Sequence, residues 1–463
     1  MTDLLPNPLP AADFDQLSRT LWQPHVPADW PGLQLLDADP RLRPESTAPL
    51  LNQLHPTGAA VLTDLLAHAS QRCPQALATK YVGHQFGVLN PQLGDGRALL
   101  LTDLQRDGWR LEWWLKGGGA TCFAQGDGRL SLHSAIREYV LSKALQALGI
   151  GCAGGTALLQ CPDRRVRTHE PLGMLLRSGP SLMRIGHLEW LALRGAPDVL
   201  PGVLAYLNQR GPQPLGDDSP SLLAALVRRH AETVALWQAY GYVHGGLNSD
   251  NISVLGLTLD LGTGAFMQRY NPNWSPAKDD NLRRYAYHRQ PEAVLEGLEL
   301  LADALDQLSG QHHHRRTLDD FFSQLDLHYL RAMNRRFGLA QTLPGDLGWV
   351  RDWCALLQRY DVDYHDAFGG LAGDHPDAWQ QALCQLFRVP QAPLQLTEWL
   401  QRYQQRLQQE HCSEAERQQR RRRANPCWRL DSATLQGCTD AVLDGDLEAV
   451  RRLRQQLLPE DAD

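Results

Sequence analysis

The strongest constraint in this 463-residue sequence is a change of period part-way along it. From about residue 75 to 186, apolar residues come in short runs punctuated by glycine and asparagine turns, the pattern of strands. From about residue 220 onward they recur at helical spacing, the pattern of amphipathic helices. A strand-rich half followed by a helix-rich half predicts an α+β protein with two lobes. Length alone suggests about three domains. The pattern instead divides the chain into an N-terminal extension packed on the body (1–70), a strand-rich lobe (71–195), a helical lobe (196–424) and a C-terminal helical tail (425–463).

Individual elements can be read within that division. Tyr81 to Phe86 alternates, turns follow at Asn90-Pro91 and Gly94-Asp95-Gly96, and the run Ala98–Leu101 resumes the strand pattern. Arg110 to Lys116 reads as another strand, ending at a glycine-rich loop. Residues 131–148 form an amphipathic helix with Ile136, Val140, Leu141, Ala144, Leu145 and Leu148 on one face and Gly149 placed to cap it. More strands are expected over 152–186. Leu222 to Tyr240 is one long helix, and 291–308, 317–336, 345–360 and 376–388 also read as helices.

Charge and cysteine usage exclude several classes. Lys and Arg number 45 against 52 Asp and Glu, a net −7, so no global field favours nucleic acid or an anionic membrane. The basic runs His312–Arg316 and Arg420–Arg423 read as solvated surface or, alternatively, as a local contact with nucleic acid or an acidic partner. Nine scattered cysteines form no CxxC pair, which removes zinc-ribbon and thioredoxin readings. The N-terminal stretch lacks the pattern of a signal peptide, and no apolar run is long enough to span a bilayer. The expectation is a cytoplasmic monomer.

The chemistry concentrates in a few places. His244-Gly245-Gly246-Leu247-Asn248-Ser249-Asp250-Asn251 has the length of a protein-kinase catalytic loop, H-R-D-L-x-x-x-N, with the Asn last. Nine residues on, Asp260-Leu261-Gly262 stands where D-F-G would. Amide and carboxylate oxygens are hard ligands suited to Mg²⁺, so Asn251 and Asp260 are candidate metal ligands. Gly246 occupies the position of the kinase base, and an acidic group returns at Asp250. An Asn/Asp-rich turn before a buried strand would use the same residues. Upstream, Lys116 ends a strand and Glu138 follows 22 residues later in a helix, the order of a phosphate-binding Lys and its partner. Gly94-Asp95-Gly96-Arg97, Gly117-Gly118-Gly119 and Gly126-Asp127-Gly128-Arg129 are turns whose N–H groups could approach phosphate, although hairpins use them too. Arg177 and Arg184 punctuate an apolar stretch and need a partner there, either a polyphosphate or a carboxylate such as Glu189.

Taken together, these stretches resemble the selenoprotein O (SelO/YdiU) family of pseudokinase-fold protein adenylyltransferases. The matching segments are YVGHQFGVLNPQLGDGRALLL, LKGGGAT…GDGR…SAIREYVLS, LRSGPSLMRIGH, YVHGGLNSDNISVLGLTLDLG and RRYAYHRQP, in order over about residues 81–291. NPCWRLDSATL and GDLEAVRRL near the end match more weakly. The resemblance implies a kinase-like fold that binds ATP in a flipped pose. It implies transfer of AMP to protein hydroxyls with release of pyrophosphate, assisted by Mg²⁺ or Mn²⁺. It implies Asp250 as base, Asn251 and Asp260 on the metal, and Glu138 as partner of Lys116. Gly94, Gly96, Arg97, Lys116, Asp127, Gly128, Arg177, Arg184 and Asp260 are implied at the nucleotide. The partners implied are proteins with modifiable hydroxyls. The alternatives are a γ-phosphate kinase and a catalytically silent ATP-binding scaffold. Two departures stand out. The loop Gly117–Gln125 lacks two arginines of the family pattern, and the last cysteine is Cys438, so no C-terminal redox cysteine is expected.

Overall fold

A computed structural model describes residues 8–39, 57–85, 87–106, 109–165, 168–211, 213–371 and 376–458. Phe86, and the stretches 1–7, 40–56 and 459–463 of the terminal segments, lie outside the described residues. The first part of the chain builds an antiparallel sheet from β1 (Trp22–Pro24), β2 (Gln34–Ala38), β3 (Leu77–Gln85), β4 (Val88–Gly94), β5 (Ala98–Arg106), β6 (Trp109–Lys116), β7 (Leu130–Ser131), β8 (Gly154–Arg164) and β9 (Pro171–Gly179). The order is β1-β3-β5-β6-β9-β8-β2, with β4 on β3 and β7 on β9. The N-terminal segment therefore supplies both end strands of that order, β1 and β2, and closes the sheet on two sides. Two short helices, α1 (Thr57–Ala67) and α2 (Ala69–Arg72), lie between β2 and β3.

The run Ala98-Leu99-Leu100-Leu101 is apolar throughout because the sheet is covered on both faces. Ala98 and Leu100 point into one core, while Leu99 and Leu101 point into the other with Leu65 and Leu66 of α1. β6 alternates likewise, with Trp114 on the first side and Trp113 and Leu115 on the second. The first face carries α3 (Leu132–Ala147), whose start is capped by Ser131 accepting from the Ser134 N–H at 3.2 Å. α3 ends before Gly149, which turns left-handed at φ 71° as the sequence predicts.

Helices dominate from there on. They are α4 (Ile185–Leu193), α5 (Leu200–Asn208), α6 (Ser219–Tyr240), α7 (Gln290–Ser309), α8 (Phe321–Arg336), α9 (Asp346–Arg359), α10 (Tyr364–Gly369), α11 (Pro376–Leu386), α12 (Leu394–Gln408), α13 (Glu414–Ala424), α14 (Ser432–Leu443) and α15 (Ala449–Leu457). A two-stranded ribbon, β10 (Tyr242–Val243) with β11 (Ala265–Phe266), brackets the loop between α6 and α7. The long helix predicted at 222–240 starts at Ser219, because Asp218 caps it by accepting from the Ser221 N–H at 2.8 Å. α9 and α12 meet through Trp353 and Trp399, with ring centroids 4.4 Å apart. Among the described residues no helix is long and apolar enough to cross a membrane.

Candidate active site

The sheet and the helices meet at a cavity of about 1550 Å³. Strand pairing sets its back wall. Lys116 faces Leu175 and Trp114 faces Arg177 across β6 and β9. Side chains two apart on a strand share a face, so Lys116 and Arg177 project from the same side of the sheet. The segment 183–185 pairs with 252–254 through the Ile185 N–H to the Ile252 carbonyl at 3.0 Å and the Val254 N–H to the Met183 carbonyl at 2.9 Å. That ladder brings Arg184 to the loop that carries Asp250, Asn251 and Asp260.

The result is a buried ion cluster. Lys116 Nζ donates to Glu138 Oε1 at 2.7 Å and Oε2 at 2.9 Å, and to Asp260 Oδ1 at 3.0 Å. Arg177 donates to the same Oδ1 at 3.2 Å, and Arg184 donates to Oδ2 and, at 2.6 Å, to the Asp250 carbonyl. The carboxylate that Arg177 and Arg184 need is thus Asp260. Glu189 instead accepts from His84 Nδ1 at 2.6 Å. Burial alone would raise the Asp260 carboxyl, but Arg184, Lys116 and Arg177 together hold it well below the usual carboxylate range. Asp260 also adopts a left-handed backbone, φ 48°, uncommon for a residue with a side chain and frequent at working sites.

The glycine turns form the opposite wall. Gly94, Gly96 and Arg97 line the cavity beside Phe123 and Ala124, and Arg97 is exposed. The loop after Lys116 folds back on itself, with the Gly119 N–H bonding the Gly128 carbonyl at 3.3 Å. Gly128 is required there: its φ is 65°, and a Cβ would lie 2.1 Å from the Gly119 backbone. Asp127 is exposed and pairs with Arg165. Where this loop lacks arginines, Arg129 and Arg165 supply cations to the same wall.

Asn251 lines the cavity, and its Nδ2 donates to the Gly246 carbonyl at 3.0 Å. That bond orients the carboxamide and leaves its oxygen as the available ligand. An amide oxygen and an ionised carboxylate are hard ligands of the kind Mg²⁺ or Mn²⁺ takes, and here the two Asp260 oxygens are engaged by Lys116, Arg177 and Arg184. Among the described residues no group of three or more His, Cys, Asp or Glu forms a metal site by itself.

Asp250 is placed differently. It is not among the residues lining the cavity. Its carboxylate turns onto β3, where Gln85 Nε2 donates to Oδ2 at 3.2 Å and a Cβ on Gly83 would sit 2.4 Å from Oδ1. Oδ1 is buried and makes no hydrogen bond to the described residues. Burial raises the Asp250 carboxyl above its ordinary value, against the opposing charge of Arg184 and the Gln85 bond.

Several lining residues escaped the motif reading. Arg137 precedes Glu138 and donates to the carbonyls of Gly262 (3.0 Å) and Gly264 (2.6 Å), tying α3 to the Asp260 loop. Tyr285 donates to Asn248 Oδ1 from within the RRYAY stretch. Lys278, and Ser432 and Gln436 of α14, also line the cavity. Arg137 and Tyr285 lie inside segments that the motifs had already marked. Ser432 lies in the weaker match NPCWRLDSATL, but nothing local there signals that α14 returns to a cavity built hundreds of residues earlier.

Three buried cations touch two carboxylates at the floor of a large cavity, an arrangement able to receive an anionic ligand. The profile of a family described as "Protein adenylyltransferase SelO" matches residues 49–458. A protein nucleotidyltransferase YdiU of Chromohalobacter salexigens is 36% identical over 440 residues, covering 93% of this chain and 88% of its own. Another from Aeromonas salmonicida is 38% identical over 385 residues, covering 82% and 80%. A third, from Rhodopseudomonas palustris, is 33% identical over 407 residues. The chain belongs to the SelO family and is an enzyme of the nucleotidyltransferase class.

Proposed function

We propose that this chain is a protein adenylyltransferase with a two-lobed, kinase-like body, acting on Ser, Thr or Tyr hydroxyls of other proteins in the cytoplasm. One observation carries the reading: the Lys116–Glu138–Asp260–Arg177–Arg184 cluster opens onto the cavity while Gly246 stands where a kinase would hold its base. The cations of the cluster take the triphosphate of ATP and neutralise charge as it develops. Asn251 and Asp260 would hold Mg²⁺ or Mn²⁺, which supplies further neutralisation of phosphate charge. The acceptor oxygen bonds to the α-phosphorus, the α–β bridging P–O bond breaks, and pyrophosphate leaves with that electron pair. The hydroxyl proton passes to the Asp250 carboxylate, whose raised pKa suits it to accept one. Gln85 caps that carboxylate in this structure, so the acceptor approaches across the end of β3.

The test uses ATP labelled at either the α or the γ phosphate, with Mg²⁺ or Mn²⁺. Label should reach protein from the α position alone. Label from γ and none from α overturns the reading in favour of a kinase. The turn of the Asp250 carboxylate onto Gly83 favours a second reading, a catalytically silent ATP-binding scaffold. That reading predicts an ATP-induced thermal shift, lost in Asp260→Ala, with no label transferred from either position.

A further inference from the structure

The last helices of the chain are tied to the helix that carries Glu138. Arg454 on α15 donates from Nε to Asp37 Oδ2 at 2.7 Å, and Tyr139 on α3 donates from its hydroxyl to the same oxygen at 3.0 Å. All three residues are buried. A second tie lies one to two turns earlier on α3, where His133 Nδ1 meets Thr439 Oγ1 of α14 at 3.1 Å. His133 itself lines the cavity.

We propose that Arg454 is a positioning residue for the cleft, acting through Asp37 and Tyr139 to fix the rotation of α3 and hence the aim of Glu138 at Lys116. The inference rests on the reading of the cavity as a nucleotide site. Adjacent residues on a helix point about 100° apart. Tyr139 therefore faces β2 and the tail while Glu138 faces the cleft, and neither can turn without the other. An apolar contact would hold α3 to the sheet as firmly as a buried ion pair does, because the pair must repay its own desolvation. A shared carboxylate oxygen with two directed donors adds orientation. Glu138 needs that orientation, since both its oxygens engage one ammonium group.

A double-mutant cycle in the full chain tests this. Arg454→Met and Tyr139→Phe are each made alone and together with Glu138→Gln, and all are checked for native circular dichroism. α-Label transfer and the ATP-induced thermal shift are measured. Each single substitution should lower kcat about tenfold, and in the Glu138→Gln background the further loss should be less than about twofold. Arg454→Lys, which keeps the charge, should recover part of the loss. An equal fold loss in both backgrounds, or no loss in either single variant, overturns the proposal. Tyr139→Phe removes only a hydroxyl and keeps the test open where Arg454→Met fails to fold. Should the wild-type chain bind ATP without transferring label, the functional reading fails first, and the same cycle is scored on the ATP thermal shift. There, additive losses overturn the proposal and non-additive ones support it.

Discussion

Of the ion clusters packed against this sheet, two are built to opposite plans. At Asp260 three cations surround two carboxylates, and the group opens onto the cavity. At the other, Arg210 alone serves Asp103, donating to its oxygens at 2.8 and 3.1 Å, close to Glu112. Asp103 also accepts from the Asp13 N–H at 2.7 Å. Glu112 accepts from Tyr206, from Trp114 Nε1 at 2.8 Å and from the Leu182 N–H at 2.8 Å. Every carboxylate oxygen there has a donor from within the protein, and none of these residues lines the large cavity. The anion-rich, closed cluster joins the N-terminal segment, the sheet and α5 to one another. The cation-rich, open one sets three cations against the two carboxylates they touch and faces a cavity that a ligand can enter.

The largest effect should come from the residue beside the open cluster that belongs to neither. Asp250→Asn should lower label transfer by about 10²–10⁴-fold, the range for loss of a general base, while leaving the ATP-induced thermal shift in place. The pH profile carries the sign. Burial raises the Asp250 carboxyl, so transfer should climb as pH rises through that raised value and level off above it. Asp250→Asn should lack this acid limb. An unchanged limb in the variant would assign the titration to another group.

Breaking the closed cluster should cost stability and spare the cleft. Arg210→Met leaves Asp103 and Glu112 buried without their cation, an effect on the order of 3–5 kcal/mol in urea unfolding. The ATP KM of the folded fraction should not move. Arg184→Met is the matching cut in the open cluster, expected to lower transfer by about 10²–10³-fold. It should also move acid unfolding to higher pH. A depressed carboxyl contributes stability above its ordinary pKa and loses it as pH falls toward its folded value. Without Arg184 the Asp260 carboxyl titrates higher, so its contribution is smaller and is used up at a higher pH. A large stability loss in Arg184→Met with transfer intact would erase the distinction between the clusters.

The contrast was only half legible in the sequence. Lys116, Glu138, Asn251 and Asp260 stand in motifs whose spacing follows strand, helix and loop geometry, so local rules find them. The partner of Arg177 and Arg184 was ambiguous, because pairing with Asp260 depends on the 183–185 to 252–254 ladder and no local pattern encodes it. β1 and β2 fall in the stretch whose pattern predicts only an extension, since three- and five-residue strands carry too little alternation to declare a sheet edge. The sidedness of Asp250 was invisible, because it depends on Gly83 and Gln85, about 165 residues away along the chain.

The smallest expected effect tests whether the open cluster's surplus extends to the cavity rim. Arg97 follows Gly96 at the turn before β5, lines the cavity and is exposed to solvent. An exposed charge acts through high dielectric and is worth about 0.2–1 kcal/mol, so Arg97→Ala should raise the ATP KM by no more than about fivefold. Salt separates the rim from the floor. At about 1 M salt the Debye length falls to about 3 Å, and the difference between Arg97→Ala and wild type should disappear. The Arg184→Met defect should persist under the same salt, because its guanidinium is buried against Asp260 and mobile ions do not screen it. If both defects vanish together, the floor of the cleft is wetter than its burial indicates. If both persist, Arg97 contacts the nucleotide directly rather than through a diffuse field.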